Sequence, residues 1–264
     1  MKWLMNLLVH SPVYPHWLAV RKTDQANEVV LRGLSGDVLE VGAGDGARKE
    51  SYGKKYSAIT SYLATDYSTW DDEFAKVNKD VKKFQGLGKI LFGFKERIAL
   101  DQVCSATNLP FESNRFDVHL SFEVLEHIDD PQKFFFEATR ILKPGGRIIF
   151  SVPFLFRVHG GEPDHKMDYQ RFAHGFFHRM ATLNHLQLVQ IYHNTGVGTT
   201  VATMVNQWLI RRIMESSILA RAAFLIISPV VFFVFNVVGY IVDLAPDVRF
   251  ATRFHVVYQK IDTL

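Results

Sequence analysis

Short apolar runs alternate with helix-like stretches through most of the chain. Val38 to Val41, Ile59 to Thr65, residues 98–104, Phe116 to Phe122, Arg147 to Val152 and Leu186 to His193 read as six strands. Phe254 to Ile261 reads as a last one. Unbroken runs of branched and aromatic residues suit strands covered on both faces. Between the fourth and fifth runs, Pro131 to Leu142 has helical spacing and stops at Lys143-Pro-Gly-Gly146. Strands alternating with helices predict an α/β fold with a doubly wound, mostly parallel sheet.

Two segments break that rhythm. Residues 76–97, inside an insertion over 70–97, hold seven Lys/Arg against two Asp/Glu, interleaved with Phe84, Leu87, Ile90, Leu91, Phe92 and Phe94. This is either a solvated basic helix or a surface for anionic lipid. Ala222 to Val242 contains no charged residue, and as one helix it would be roughly 30 Å long, enough for a bilayer core. A lone span would leave the last strand on the wrong side of the membrane, so a monotopic or protein-packed insertion, with Pro229 as the place to split it into two helices, is expected over the alternative of a true span. At the N-terminus, Trp3, Leu4, Leu7 and Leu8 share one helical face. The expected layout is a helical segment at 1–30, a main domain at 31–195, a hydrophobic helical insertion at 196–250, and the closing strand at 251–264.

The first strand runs into Gly42-Ala-Gly-Asp-Gly46, where glycines at alternate positions allow close backbone approach to a ligand. The spacing is one residue short of a dinucleotide fingerprint, and Glu40 and Asp45 would repel phosphate. The loop therefore suits a ligand with a ribose and a positive charge but no phosphate, such as S-adenosylmethionine; a plain strand-to-helix turn is the blander alternative.

Composition narrows the field modestly. The 264 residues are 48% hydrophobic and 22% charged, ordinary for one elaborated α/β domain. The 22 Phe are unusual, and a net charge of +3 is too small to imply nucleic acid. One cysteine, Cys104, excludes an internal disulfide and reads as a small buried hydrophobe. A cytoplasmic chain, peripheral to or anchored in a membrane, is the expectation.

The strings VLEVGAGDG (38–46), ATD (64–66), NLPFESNRFDV (108–118), FEVLEHIDDP (122–131) and RILKPGGRIIFSVP (140–153) occur in that order. In this the chain resembles the class I S-adenosylmethionine-dependent methyltransferases, in the type 11 subgroup that includes ubiquinone and menaquinone methyltransferases. The resemblance covers roughly residues 30–195 and the last strand. It implies a Rossmann-like sheet of seven strands with an antiparallel last strand. It also implies that Glu40, Gly42, Ala43, Gly44 and Gly46 line the methionine and ribose end of the cofactor, that Asp66 accepts bonds from both ribose hydroxyls, and that Tyr67, Ser105, Ala106 and Phe122 complete the site. Ser105 departs from the pattern, which usually has Asp there, and weaker cofactor affinity is expected.

Methyl transfer from a sulfonium needs positioning, exclusion of water and sometimes a base. The bases expected are His127 and His159, with Asp168; His165 and Asp164 lie nearby in sequence. Residues 152–172 resemble the family's "VPF…H…P…DYxRF" run, with extra residues before Asp168 and Ala173 in place of Thr. Asp168 and Arg171 equally read as a structural ion pair. Glu123, Glu126 and His127 fall on one face of a helix turn and resemble the metal-binding E-x-x-E-H of some relatives; no metal is expected, and these are the residues that would hold one. The expected function is methyl transfer from S-adenosylmethionine to a small-molecule, lipid-linked, isoprenoid or glycan acceptor near a membrane, with surface contact through 70–97 and 222–242. The alternative is a non-catalytic module that keeps the fold as a scaffold.

Overall fold

The computed structural model describes residues 10–44, 46–67, 100–159 and 167–261. The expectations for the helix within 1–9, the basic stretch 70–97, Ile98 and Ala99, Asp45, Asp164 and His165 lie outside them. Two compact units emerge. One comprises residues 1–29, 154–157 and 193–253, and the other residues 30–153, 158–192 and 254–264. The segments expected at 1–30 and 196–250 thus fall largely in one unit.

The larger unit is a seven-stranded sheet in the order β3-β2-β1-β4-β5-β7-β6. Its strands are β1 (Gly36–Val41), β2 (Ile59–Asp66), β3 (Gln102–Val103), β4 (Phe116–Phe122), β5 (Leu142–Pro153), β6 (Leu186–Tyr192) and β7 (Arg253–Lys260). β1 pairs in parallel with β2 and β4, and β4 with β5, while β6 and β7 are antiparallel. Val38, Leu39, Leu120, Ile148 and Ile149 are buried, as central parallel strands require. Many of the Phe residues form one aromatic layer. Phe135 meets Phe134, Phe150 and Tyr258 at 5.2, 5.5 and 5.6 Å between ring centroids, and Phe150 meets Phe177 at 6.1 Å.

Among the described residues this unit has the helices α2 (Ala47–Lys55), α3 (Pro131–Ile141) and α4 (His174–Leu183). α3 starts where Asp130 accepts a bond from the Lys133 N–H at 3.0 Å and Pro131 fills the first turn. Its buried face carries Phe134, Phe135, Ala138 and Ile141.

Two expectations change here. Lys143–Gly146 is not a turn ahead of the fifth strand but the irregular start of it: Leu142 already pairs with Phe116, and a bulge follows. Lys143 spans Asp37 and Asp117 at 3.0 and 2.8 Å, which ties the run to β1 and β4. Cys104 is half-buried beside the short, exposed β3 and is not a core residue; burial nevertheless raises its thiol pKa.

The second unit contains α1 (Trp17–Val30 apart from its last residue), α5 (Val197–Glu215) and α6 (Ile218–Val242). α5 and α6 form a hairpin joined by Ser216 and Ser217. Pro229 does not split α6. Proline at 229 leaves the Leu225 carbonyl without its helical donor, and the Ser228 hydroxyl donates to that carbonyl at 3.3 Å. The Asp243 carboxylate, just past α6, accepts the N–H groups of Gly196, Gly198 and Thr199 at 2.8, 2.9 and 2.8 Å and so caps the start of α5. The Thr195 hydroxyl accepts the Thr252 N–H at 3.0 Å, which brings the two ends of this excursion together.

Candidate active site

β1, β2 and β4 end on the same edge of the sheet, and from β1 the chain winds outward through β2 on one side and β4 on the other. Open α/β sheets bind ligands at that switch point. The glycine loop lies there, with the Gly42 and Ala43 N–H groups both donating to Thr65 O at 2.9 and 3.0 Å. A side chain at Gly42 is excluded twice over. Its φ is +75°, and a Cβ would come within 2.1 Å of Val124 Cγ2. Gly44, at φ +59°, has open space where a Cβ would be, so the loop leaves room for a ligand against its backbone.

Asp66 closes β2 at the lip of this loop. Its Oδ2 accepts the Gly44 N–H at 2.7 Å and its Oδ1 the Tyr67 N–H at 2.6 Å. A carboxylate at this position can accept from both hydroxyls of a ribose. Tyr67 itself is exposed. Glu40 is turned inward and fully buried. Its Oε1 accepts from Arg48 at 3.0 Å and its Oε2 from the Tyr62 hydroxyl at 2.8 Å. Burial and the Glu40 charge together raise the Tyr62 pKa, so the phenol stays a donor. Arg48 also lies 5.1 Å from the centre of the Phe122 ring. Sequence reading had no way to see Arg48 or Tyr62, because neither falls in a motif; both support the loop through Glu40. Ser105 shares a 3.0 Å hydrogen bond with the Thr107 hydroxyl, and Ala106 is buried beside it. These groups fit a ribose-bearing, phosphate-free ligand: a carboxylate stands at the lip, and Arg48 is already committed to Glu40.

A second cluster sits beyond β4 and β5. The Val124 side chain that touches Gly42 belongs to the turn leading into a 3-10 helix, Leu125–His127. Glu126 is fully buried in that turn, and neither of its oxygens meets a hydrogen-bond partner among the described residues. Nε2 of His159 and of His127 approach Glu126 Oε1 at 3.5 and 3.7 Å. Burial pushes the Glu126 pKa up, against the opposing influence of His159. The two imidazoles stack edge-on with centroids 4.9 Å apart. His127 Nδ1 is 2.6 Å from Met167 O, a separation that suits an N–H donating to the carbonyl.

On its other side, His159 Nδ1 lies 3.4 Å from Asp168 Oδ2, and that oxygen also accepts the His159 backbone N–H at 2.8 Å. Arg171 binds both oxygens of Asp168, with Nη2 to Oδ2 at 2.8 Å. Burial opposes ionisation of Asp168, but the bonds from Arg171 and the His159 N–H outweigh it and hold the pKa at about 2. A carboxylate so strongly ionised is a poor proton acceptor and a good orienter of the imidazole.

The expected Glu123-Glu126-His127 trio does not share a helix face. Glu123 sits at φ +56°, before any helical turn begins, and its Oε1 accepts the Ser151 hydroxyl at 2.7 Å. His159 takes its place: ligand atoms of Glu126, His127 and His159 lie within 4.8 Å of one another. One carboxylate and two imidazoles could hold a divalent transition ion, and the same groups can pass a proton without one.

Residues 39–150 match the family described as "Methyltransferase domain". The ubiquinone biosynthesis O-methyltransferase of Coxiella burnetii (strain Dugway 5J108-111) is 26% identical over 160 residues, 56% of this chain and 60% of that relative. The demethylmenaquinone methyltransferase of Paenarthrobacter aurescens (strain TC1) is 30% identical over 115 residues, 43% of this chain and 37% of that relative. The chain therefore spans less than two thirds of the length of either. Geranyl diphosphate C-methyltransferase from Streptomyces coelicolor A3(2), solved with Mg2+, geranyl diphosphate and S-adenosyl-L-homocysteine, has the same fold. Its TM-score is 0.53 at 14% identity, covering 94% of this chain and 83% of that one. Through residues 39–150 the chain belongs to the class I S-adenosylmethionine-dependent methyltransferases of type 11.

Proposed function

We propose that the chain transfers a methyl group from S-adenosylmethionine to a hydroxyl of a small, largely apolar acceptor, of the quinol or isoprenoid type or linked to a lipid. The observation that carries the reading is the Gly42–Val124 contact, which joins the glycine loop to the turn bearing Glu126 and His127. A methyl donor held by the loop and a proton acceptor held by the turn are thereby built on adjoining backbone. The relatives named for quinone methylation support the acceptor class.

The bound donor supplies an already activated methyl group. Asp66 holds the ribose, while Glu40 fixes Arg48 and with it the wall beside Phe122. Asp168, locked by Arg171, keeps the His159 Nδ1 side as an N–H donor, so that Nε2 is the basic atom. His159 then takes the acceptor's proton, a role worth about 10²–10⁴ in rate. The test is a kinetic split. His159→Ala should lower kcat at least about 100-fold and leave cofactor affinity within about twofold. Loss of cofactor binding alone would remove His159 from the chemistry.

A second reading assigns Glu126, His127 and His159 to a divalent cation, which would polarise the acceptor oxygen. The buried, unpartnered Glu126 carboxylate favours it. EDTA treatment followed by metal analysis decides between the two. Proton transfer by His159 alone predicts an unchanged rate; a loss of at least about tenfold restored by Zn2+ or Mn2+ installs the metal reading.

A further inference from the structure

Along most of α6 the polar side chains face inward and the aliphatic ones outward. On α6 the inward stripe is Ser228, Phe232, Asn236, Gly239 and Asp243, and only Phe232 in it is a large apolar residue. The opposite stripe is aliphatic: Leu219, Ile226 and Val230 are 83%, 78% and 64% exposed. The first half of α5 is similar, with Thr199, Thr203 and Asn206 buried and Val201, Met204 and Trp208 exposed, while its second half buries Leu209, Ile210 and Ile213 against Phe232. The inward amides hold the unit together. Asn206 donates to Asn236 at 3.1 Å and to Pro15 O at 2.8 Å, while Asn236 donates to the Pro12 and Tyr14 carbonyls at 2.8 and 2.9 Å. Water selects the opposite arrangement, with amides outside and aliphatics inside.

What covers the outward face can be read from its chemistry. Within Leu219–Val242 the most apolar 18 residues have a mean hydropathy of 2.4, and only 22% of them are buried. No charged side chain interrupts it after Arg221. A protein partner is met by an apolar centre with a polar, hydrogen-bonding rim; this strip is apolar along its whole length. Near the turn of the hairpin Arg211 and Arg212 are exposed, Arg211 paired with Glu215 at 2.6 Å and the Arg212 guanidinium 5.8 Å from the Trp208 ring, while at the far end of α6 Arg21 and Lys22 lie against Tyr240. Trp beside Arg at the end of an apolar strip is the chemistry of the lipid interface.

We propose that this face of the hairpin docks on an anionic bilayer, lying in one leaflet with α6 among the acyl chains and Arg211 and Arg212 at the headgroups. A crossing hairpin would have to carry Arg211, Arg212 and Arg221 through the hydrocarbon core, which the bilayer disfavours. Docking does not depend on methyl transfer, and the failure of either leaves the other standing.

Flotation of the full chain with vesicles of phosphatidylcholine containing about one quarter phosphatidylglycerol tests it. The wild type should float, and raised salt should weaken but not abolish this. Ile226→Lys with Val230→Lys should cut the vesicle-bound fraction at least about tenfold while circular dichroism and cofactor affinity stay unchanged. Should the lysines prevent folding, Ile226→Ala with Val230→Ala gives the same direction with a smaller loss. Arg211→Gln with Arg212→Gln should weaken binding to anionic vesicles several-fold and leave neutral vesicles unaffected. A wild type that stays with the soluble fraction, lysine variants that float equally well, or a lipid-free homodimer that those lysines dissociate would each overturn the proposal.

Discussion

The sheet unit and the helical unit both bury polar side chains, and they use them differently. In the sheet unit Glu40 in β1, Asp66 at the end of β2, Glu126 in the turn after β4, and His159 and Asp168 beyond β5 gather at one end of the strands. Burial raises the Glu126 pKa, and at Asp168 burial is outweighed by the bonds from Arg171 and the His159 N–H, which lower the pKa. In the helical unit Asn206, Asn236 and Asp243 are spread along the interior and make several bonds each. Buried polarity concentrated at a strand edge is suited to chemistry; buried polarity distributed along helices is suited to assembly, here beside the apolar cluster of Leu209, Ile210, Ile213 and Phe232.

Substitutions in the two units should therefore fail in different assays. The largest effect is expected at Asp66. Asp66→Ala removes a carboxylate that would take two charge-assisted bonds from ribose, so calorimetry should show cofactor affinity lower by at least about 100-fold, with a melting temperature nearly unchanged. If the variant instead melts early and binds normally, Asp66 belongs with the assembling residues.

Asn236→Leu sharpens the other half. Leucine at a buried position ordinarily stabilises, but here it strands the Pro12 and Tyr14 carbonyls and the Asn206 amide. Denaturant titration in detergent or vesicles should show a loss of about 2–3 kcal/mol, with cofactor affinity intact. Equal or greater stability would mean that the amides are incidental.

His119, in the core of β4, crosses the comparison: it is a buried polar group with neither a site nor a scaffold to serve. It packs edge-on to Phe134 at 5.4 Å, and neither ring nitrogen meets a hydrogen-bond partner among the described residues. Burial lowers its pKa from 6.5 to about 4. The unfolded chain takes up the proton first, so its contribution is complete above pH 6.5 and declines as pH falls towards 4. The slope is about 1.4 kcal/mol per pH unit. His119→Leu should flatten that part of the stability profile. An unchanged acid limb would show that the ring is protonated and paired in the folded state.

The central strands were legible because burial on both faces leaves an unbroken apolar run, and Phe116–Phe122 was readable to the residue, whereas the strand expected over 98–104 is only the exposed pair Gln102–Val103 among the described residues. The start of β5 was not. Pro and two glycines signal a stop, and only the pairing of Leu142 with Phe116 and the Lys143 bridge to two aspartates keep the strand going. Pro229 misled for a similar reason, since its effect depends on a neighbouring hydroxyl. At the site, the glycine loop, Asp66, His127, His159 and Asp168 could all be named from motifs. Their grouping could not. Helical spacing from Glu123 was assumed where the backbone enters a left-handed conformation, and the partner from beyond β5 replaced it. Arg48 and Tyr62 carry no motif because their job is set by where Glu40 points.

The bond between Thr252 and Thr195, with Asp243 capping α5, has an evolutionary consequence. β6 and β7 are antiparallel neighbours that a few residues could connect, and the excursion between them leaves and returns at nearly the same point. Because closing a longer loop adds only about 0.6 kcal/mol per doubling, such a segment can be gained, lost or exchanged without disturbing the strands around it. The hairpin is in that sense a cassette, one that could be exchanged with little effect on the strands on either side.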